Sequence, residues 1–232
     1  MATVGARPKR GEDISWNPEI AYATGLLATD GCLSIDGRHI ELTSKDEEQL
    51  KNFMYCIDKD VVIRTKTSGF TGKPVAHIQF SDVTLYRFLI KIGMTPRKTM
   101  TLGALLVPDD FFFDFLRGHH DGDGSFSSYY DPRWKSSFMF YLSFTSASDA
   151  HLLWIRQVVQ RLTGAQGHLV RSATSTLIQL RYAKRESLLL LEQMYKNPKA
   201  ICLSRKRLKI SKALRIVGQS LPGFKSSQVV PR

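Results

Sequence analysis

The sequence predicts an α+β fold made of two tandem αββαββα units of about 100 residues each, a common domain size. Three observations carry this. Two nine-residue stretches, Ala23-Thr24-Gly25-Leu26-Leu27-Ala28-Thr29-Asp30-Gly31 and Leu116-Arg117-Gly118-His119-His120-Asp121-Gly122-Asp123-Gly124, both place glycine third, aspartate eighth and glycine ninth. Their surroundings recur in the same order. Glu41-Leu42-Thr43-Ser44 is followed by the helix-like run 45–57, and Ser143-Phe144-Thr145-Ser146 by the run 149–163, while Arg97-Lys98 and Arg205-Lys206 each open a later apolar-periodic stretch. The offset grows along the chain, from 93 for Asp30/Asp123 through 102 for Thr43/Thr145 to 108 for Lys98/Lys206, as expected if the second copy carries loop insertions.

The elements follow in order from periodicity and turn chemistry. Residues 18–29 hold no proline after Pro18 and are rich in Ala and Leu, so they form a helix ending at Gly31. Leu33-Ser34-Ile35 and Ile40-Glu41-Leu42 alternate around Asp36-Gly37, a hairpin signal. Ser44, with Glu47 three residues later, makes a capping box for the next helix. Strands near 61–67 and 75–81 flank a loop with Gly69, Gly72 and Pro74, and helices near 83–92 and 98–106 close the unit. The second unit repeats this with helix 110–121, strands near 125–130 and 134–145, helix 149–163, strands near 167–172 and 176–182, and helices near 185–195 and 204–217. The boundary falls at Val107-Pro108-Asp109, where proline interrupts the pattern and Asp109 can cap the next helix. The units are therefore 16–107 and 108–217, with flexible tails at 1–15 and 218–232.

Composition narrows the function. With 232 residues, 43% of them hydrophobic, the chain can bury a substantial core. No apolar run approaches a membrane span of about 18 residues, and Met1–Ser15 holds no apolar block of a secretory signal. Three widely spaced cysteines, Cys32, Cys56 and Cys202, form neither a disulfide framework nor a zinc motif, which fits a reducing intracellular setting, cytoplasmic, nucleoid or organellar. The net charge of +12 is uneven: residues 1–115 carry 14 Lys+Arg against 15 Asp+Glu, and residues 116–232 carry 19 against 6. Such an excess suits a polyanion, because neutralising phosphates releases counterions. The basic residues are not gathered on one amphipathic helix, which argues against an anionic membrane.

Alternation places a polar face on each sheet. Trp134, Phe138, Phe140, Leu142 and Phe144 fall on one side of their strand, and Arg133, Lys135, Ser137, Tyr141 and Ser143 on the other. Arg64, Lys66 and Ser68 share a face in the first unit, as do His77 and Gln79; Gln179 and Arg181 share one in the second, with Arg171 nearby. Ser34, Arg38, His39, Glu41, Ser127 and Tyr129 complete the candidate DNA-facing set. Such side chains suit base edges and phosphates in a groove wide enough for a β-ribbon.

The two aspartates carry the chemistry. A helix C-terminus already presents partial negative charge, and a carboxylate on each of two adjacent ends makes a concentrated anionic spot. Mg²⁺ suits it, taking a few carboxylate oxygens and leaving places for water and phosphate. Gly25 and Gly118 let the helices approach and bring Asp30 beside Asp123, where two metal sites can activate water and stabilise the leaving oxygen of a phosphodiester. Lys98 and Lys206 can supply positive charge to the transition state or orient the water. A calcium loop at Asp121-Gly122-Asp123-Gly124 fails, since Ser125 and Phe126 stand where an acidic residue and glycine are needed. His119 and His120 point to different helix faces with no third ligand, so they are structural or substrate-facing.

On these residues the chain resembles the LAGLIDADG homing endonucleases in their single-chain, two-motif form. Thr24–Gly31 is similar to the first motif and Leu116–Gly124 to the second, and the resemblance covers the chain from Trp16 to Val217. It implies a pseudo-twofold monomer with the motif helices at the interface, and two sheets forming a saddle over the major groove of a long, asymmetric double-stranded DNA target. It implies that Asp30 and Asp123 bind metal, with the carbonyls of Thr29 and Gly122 as helpers and Lys98 and Lys206 in support. Mg²⁺ or Mn²⁺ would serve as cofactor, with Ca²⁺ binding without supporting cleavage, and cleavage would leave short 3′ overhangs. The chain departs from the pattern at Thr24 and Ala28, at the polar Arg117-Gly118-His119-His120, and at Ser44 and Ser146, where some relatives carry a longer polar residue. A non-cleaving nucleic-acid binder on the same fold, an intron maturase or a transcription regulator, is the alternative.

Overall fold

Asn17 opens the first unit. Its side chain accepts a hydrogen bond from Ile20 N at 2.7 Å, and Pro18 takes the first helical position, where its missing N–H costs nothing, so α1 runs Pro18–Asp30. The computed structural model describes residues 13–69, 72–171 and 175–222. Most of the two expected tails, 1–12 and 223–232, lies outside the described residues, as does residue 172 of an expected strand.

After α1 come β1 (Gly31–Leu33), β2 (His39–Ser44), α2 (Glu47–Cys56), β3 (Arg64–Thr67), β4 (Pro74–Ser81) and α3 (Val83–Lys91). The second unit repeats them as α4 (Phe112–Asp123), β5 (Ser125–Tyr130), β6 (Phe138–Ser146), α5 (Asp149–Thr163), β7 (His168–Arg171), β8 (Ile178–Ala183) and α6 (Lys184–Met194), followed by α7 (Ser204–Ile216). Both sheets are antiparallel and four-stranded, with the same order, β1-β2-β4-β3 and β5-β6-β8-β7. The fold is therefore α+β with a repeated αββαββα unit, as the sequence predicts.

Period-2 patterning sets which face is covered. In β2, Ile40 and Leu42 are fully buried while His39, Glu41 and Thr43 are only partly covered. Phe140, Leu142 and Phe144 of β6 and Leu180 and Tyr182 of β8 are likewise buried beneath the helices. The opposite face of each sheet is mostly polar, with Glu41, His77 and Gln79 on the first and Ser127, Tyr141 and Arg181 on the second.

Four expectations need correction. Ser44 is the last residue of β2, not a helix cap: its Oγ accepts from Asp46 N at 3.0 Å, and Asp46 is the N-cap of α2. Ser146 does the same for Ser148 N, so each unit makes a serine turn at this place instead of a capping box. The expected helix over 98–106 is one short turn, Lys98–Met100, whereas its counterpart α7 is a full helix. Gly103 weakens the first stretch, and α7 has no glycine. Asp109 caps nothing; it pairs with Arg161 through two short contacts, and Phe111 is the N-cap of α4. Finally, β6 begins at Phe138, so Arg133, Trp134, Lys135 and Ser137 belong to the hairpin connection, and Trp134 is 70% exposed, not on the core face. Pro132 and the turn bonds Trp134 N to Asp131 O (3.2 Å) and Ser137 N to Trp134 O (2.7 Å) take that segment out of the ladder.

Candidate active site and nucleic-acid interface

The motif helices touch through their glycines. A Cβ on Gly25 would stand 2.1 Å from the Phe115 carbonyl oxygen, and one on Gly118 would stand 2.1 Å from that of Tyr22. Only hydrogen fits at either place, so α1 and α4 pack backbone to backbone. The close approach continues to their C-termini. A Cβ on Gly122 would lie 1.9 Å from Thr29 Oγ1 and 3.0 Å from Asp30 Oδ2, which places Asp30 directly beside the residue preceding Asp123. Each helix ends at its aspartate, and Gly31 and Gly124 turn the chain into β1 and β5.

The electrostatics reflect this convergence. Burial, with the charge of Asp123 next, pushes the Asp30 carboxyl up to about 6, against the pull of Gln49, Lys206 and Lys98. Burial also raises Asp123, which Lys206 and Lys98 oppose. Lys98 is buried and lowered by desolvation, while Cys32, Asp30 and Asp123 favour its charge. Burial brings Lys206 down to about 8, opposed chiefly by Asp121 and, more weakly, by Asp30 and Asp123. Two carboxylates and two lysines thus share one local field at the seam.

Both lysines cap helix ends. Lys206 Nζ donates to the carbonyls of His120 (2.6 Å), Asp121 (2.8 Å), Gly124 (2.8 Å) and Gly122 (3.1 Å), at the carbonyl end of α4. Lys98 Nζ donates to Gly31 O at 2.6 Å. The Gly122 carbonyl, expected as a metal helper, therefore already has one donor. Thr29 Oγ1 donates to Leu26 O at 2.9 Å, within its own helix.

The donor set fits a hard divalent cation. Among the described residues no cluster of three or more His, Cys, Asp or Glu side chains is placed to hold a metal. Two close carboxylates at carbonyl-rich helix ends, both raised chiefly by burial, match the partial oxygen set that Mg²⁺ or Mn²⁺ completes with water and phosphate.

Asp121, His119 and His120 play another part. Asp121 Oδ2 accepts from Tyr22 OH at 2.8 Å and from Leu203 N at 2.7 Å, tying α4 to α1 and to the start of α7. His119 and His120 are buried, and His119 stacks on His151 with ring centres 5.3 Å apart. These residues build the seam and are closed off from solvent.

The polar faces of the sheets assemble much of the expected set. In the first, register brings Glu41 between Cys32 and Gln79, and His77 between Thr43 and Arg64. Lys66 pairs closely with Glu41. Asp36 folds back in the hairpin on His39, and its carboxylate lies 3.7 Å from exposed Arg38. Ser34 and Ser68 flank the strands. In the second sheet Ser127 opposes Tyr141, whose ring stacks on Tyr129 at 6.4 Å, and Gln179 Oε1 accepts from Arg181 Nη2 at 2.7 Å. Arg171 is placed elsewhere. It lies opposite Ile178, on the core-side register, and its guanidinium holds Asp149 at the start of α5. His168, opposite Arg181, occupies the polar-face position instead. Arg133, Lys135 and Ser137 sit beyond the strands, with Arg133 3.3 Å from Asp131.

Gln49 is an addition that the sequence motifs do not announce. It is buried on α2, and its Nε2 donates to Asp30 Oδ2 at 2.8 Å. The available signal is its place in the repeat: Gln49 lies 102 positions before His151, the spacing that relates Thr43 to Thr145, so both copies put a buried polar residue there.

No family model matches the chain, and no curated protein matches it. Solved structures do. Full-length DUF199/WhiA from Thermatoga maritima aligns over 95% of this chain with a TM-score of 0.55 at 15% identity, and the chain spans 65% of that protein's length. The homing endonuclease I-WcaI bound to its DNA recognition sequence aligns over 83% of this chain and 86% of its own, with a TM-score of 0.57 at 9% identity. I-DmoI in complex with DNA and Mn aligns over 78% and 97%, with a TM-score of 0.51 at 15% identity. What this chain shares with these proteins is the LAGLIDADG-type fold.

Proposed function

We propose that the chain is a sequence-specific double-strand DNA endonuclease that uses a divalent metal ion, Mg²⁺ or Mn²⁺. The observation that carries this is the meeting of Asp30 and Asp123, one from each repeat, at the paired ends of α1 and α4, where burial disfavours both charges despite the nearby Lys98 and Lys206. A bound divalent ion supplies water activation and stabilisation of the leaving oxygen. The chain's own residues do the rest. Asp30 and Asp123 hold the ion, with Thr29 and Gly122 offering carbonyls beside them. Lys98 and Lys206 fix the helix ends and set the positive field in which a phosphate's charge develops. The polar faces of the two sheets bind the duplex, and the basic second half supplies most of the phosphate affinity. With both halves of the site in one chain, the protein acts as a monomer on a long, asymmetric target and leaves short 3′ overhangs.

Selection of cleaved sites from a randomised duplex library with Mg²⁺ tests this directly. An enriched asymmetric site, cut by the native chain and left uncut by Asp30→Asn and Asp123→Asn, is the expected result. Robust cutting by both variants would sink the assignment.

One observation favours a second reading. Lys206 Nζ already faces four carbonyl oxygens with three protons, so it has no proton left over for a scissile phosphate. A non-cleaving binder, an intron maturase or a transcription regulator, accommodates that more easily. Recovery of a bound but never nicked duplex, or preference for structured intron RNA, would select this reading.

A further inference from the structure

Gln49 makes the two halves of the site unequal. Its amide is buried and donates to Asp30 Oδ2, while Asp30 Oδ1 accepts no hydrogen bond among the described residues. The residue at the matching place in the second unit, His151, is also buried, but its Nδ1 lies 2.8 Å from Gly103 O and does not reach Asp123. Asp123 is the more open of the two aspartates and takes no side-chain donor comparable to Gln49 among the described residues.

The helix that carries Gln49 is itself fixed from the other repeat. Asp46, the N-cap of α2, receives Arg205 Nη2 at 2.6 Å, and Glu48 Oε1 receives Ser204 N at 3.0 Å. These bonds come from the turn that also delivers Lys206 to the end of α4. The start of α5 is tied in the same crosswise manner, through Ser148 Oγ to Leu102 O at 2.6 Å and His151 to Gly103. Both helices therefore brace the lysine-bearing turn of the opposite repeat, and only the first also reaches a carboxylate.

We infer that Gln49 is a positioning residue: it holds the Asp30 carboxylate in one orientation, with Oδ1 turned free, and so makes the Asp30 half the better-ordered side of the metal site. This rests on the metal-dependent reading proposed above. A donor that fixes a ligating carboxylate limits the rotamer freedom given up on binding, and removing such a partner typically weakens metal affinity about 10- to 100-fold.

The test is Mn²⁺ titration of the full chain, followed by electron paramagnetic resonance of the free ion, for the native protein, Gln49→Leu, Gln49→Met and His151→Leu. Gln49→Met keeps the side chain's length without the donor, in case branching at position 49 disturbs α2, and thermal melts check that each variant folds. Loss of about tenfold or more in Mn²⁺ affinity for both Gln49 variants, with His151→Leu within about twofold of native, is expected. A selected duplex gives a second readout, since loss of Gln49 should change the ratio of the two strand-nicking rates and not slow both equally. Native chain that binds Mn²⁺ while the Gln49 variants bind it equally well overturns this inference alone. Native chain that takes up no Mn²⁺ overturns the metal reading and this inference together.

Discussion

Gly25 and Gly118 meet so closely that a methyl group on either would stand 2.1 Å from a backbone oxygen of the opposite helix. Since the obstruction is backbone on a paired helix and not a flexible side-chain tip, it yields only if α1 and α4 move apart. Gly25→Ala and Gly118→Ala are therefore expected to destabilise the fold by about 2–5 kcal/mol each, at the upper end of overpacking effects. The helix propensity gained over glycine, about 1 kcal/mol, is too small to offset it. Urea unfolding of both variants measures this, and a change under about 0.5 kcal/mol would contradict the packing described.

That close approach shows what is legible in the sequence and what is not. Gly25 and Gly118 recur at the third place of both motifs, and a pattern kept in two copies reveals a shared constraint. The strands are legible wherever two-residue alternation persists, as from Phe138 to Ser146. Alternation misleads from Arg133 to Ser137, where it continues by chance through a turn. The stretch after Lys98 reads as a helix from its apolar period and its likeness to the stretch that forms α7, but the helix-weakening Gly103 inside it outweighs both. Gln49 stays hidden because its role depends on a hydrogen bond across 19 residues, which no local period encodes. Arg171 sits one register step from its expected place, enough to turn a side chain to the other face.

Asp30→Asn is expected to stabilise the protein and, on the proposed endonuclease reading, to remove cleavage. The Asp30 carboxyl is raised to about 6 in the folded chain from an ordinary value of 3.8. A raised carboxyl binds its proton more readily in the native than in the unfolded state, so its ionisation weakens the fold as pH climbs through 6. The gain from the amide is therefore full above about pH 7, on the order of 1–3 kcal/mol, and fades as pH falls toward about 4. Melting temperatures of native chain and variant at about pH 8 and about pH 4.5 check this; a gain that grows on acidification would reverse the sign.

The buried histidines work in the opposite direction. His151 is lowered to about 4 by burial, and His119 and His120 are lowered by the same cause. All three fold neutral, while the unfolded chain takes up protons below its ordinary histidine value of 6.5, so their contribution is complete above 6.5 and is lost as pH falls toward 4. For His151 alone the loss reaches roughly 3 kcal/mol at the acid limit. His151→Phe keeps an aromatic ring against Phe115 and Trp154 but cannot titrate. The drop in melting temperature between about pH 7 and about pH 4.5 should be smaller in this variant than in the native chain, whatever its absolute stability.

Arg171 and Arg181 separate a structural arginine from an interfacial one. Arg181 lies on the polar face, steadied by Gln179 and opposite Ser143 and His168. Arg171 grips Asp149 through two nitrogens, with Nη1 2.9 Å from Oδ2, and supports the start of α5. If DNA lies across the polar faces, Arg181→Ala removes an interaction of about 1–3 kcal/mol, lowering duplex affinity on the order of tenfold, whereas Arg171→Ala changes it less than about threefold. The salt dependence sharpens the contrast. If Arg181 holds a phosphate, its removal should reduce the slope of log affinity against log salt by about one. If it reads a base, the slope should stay unchanged while preference relaxes at one position. Fluorescence anisotropy with a selected duplex, at about 50, 100 and 200 mM salt, measures both quantities. A loss for Arg171→Ala with none for Arg181→Ala would show that the interface runs along the sheet edge near α5 and not across its polar face.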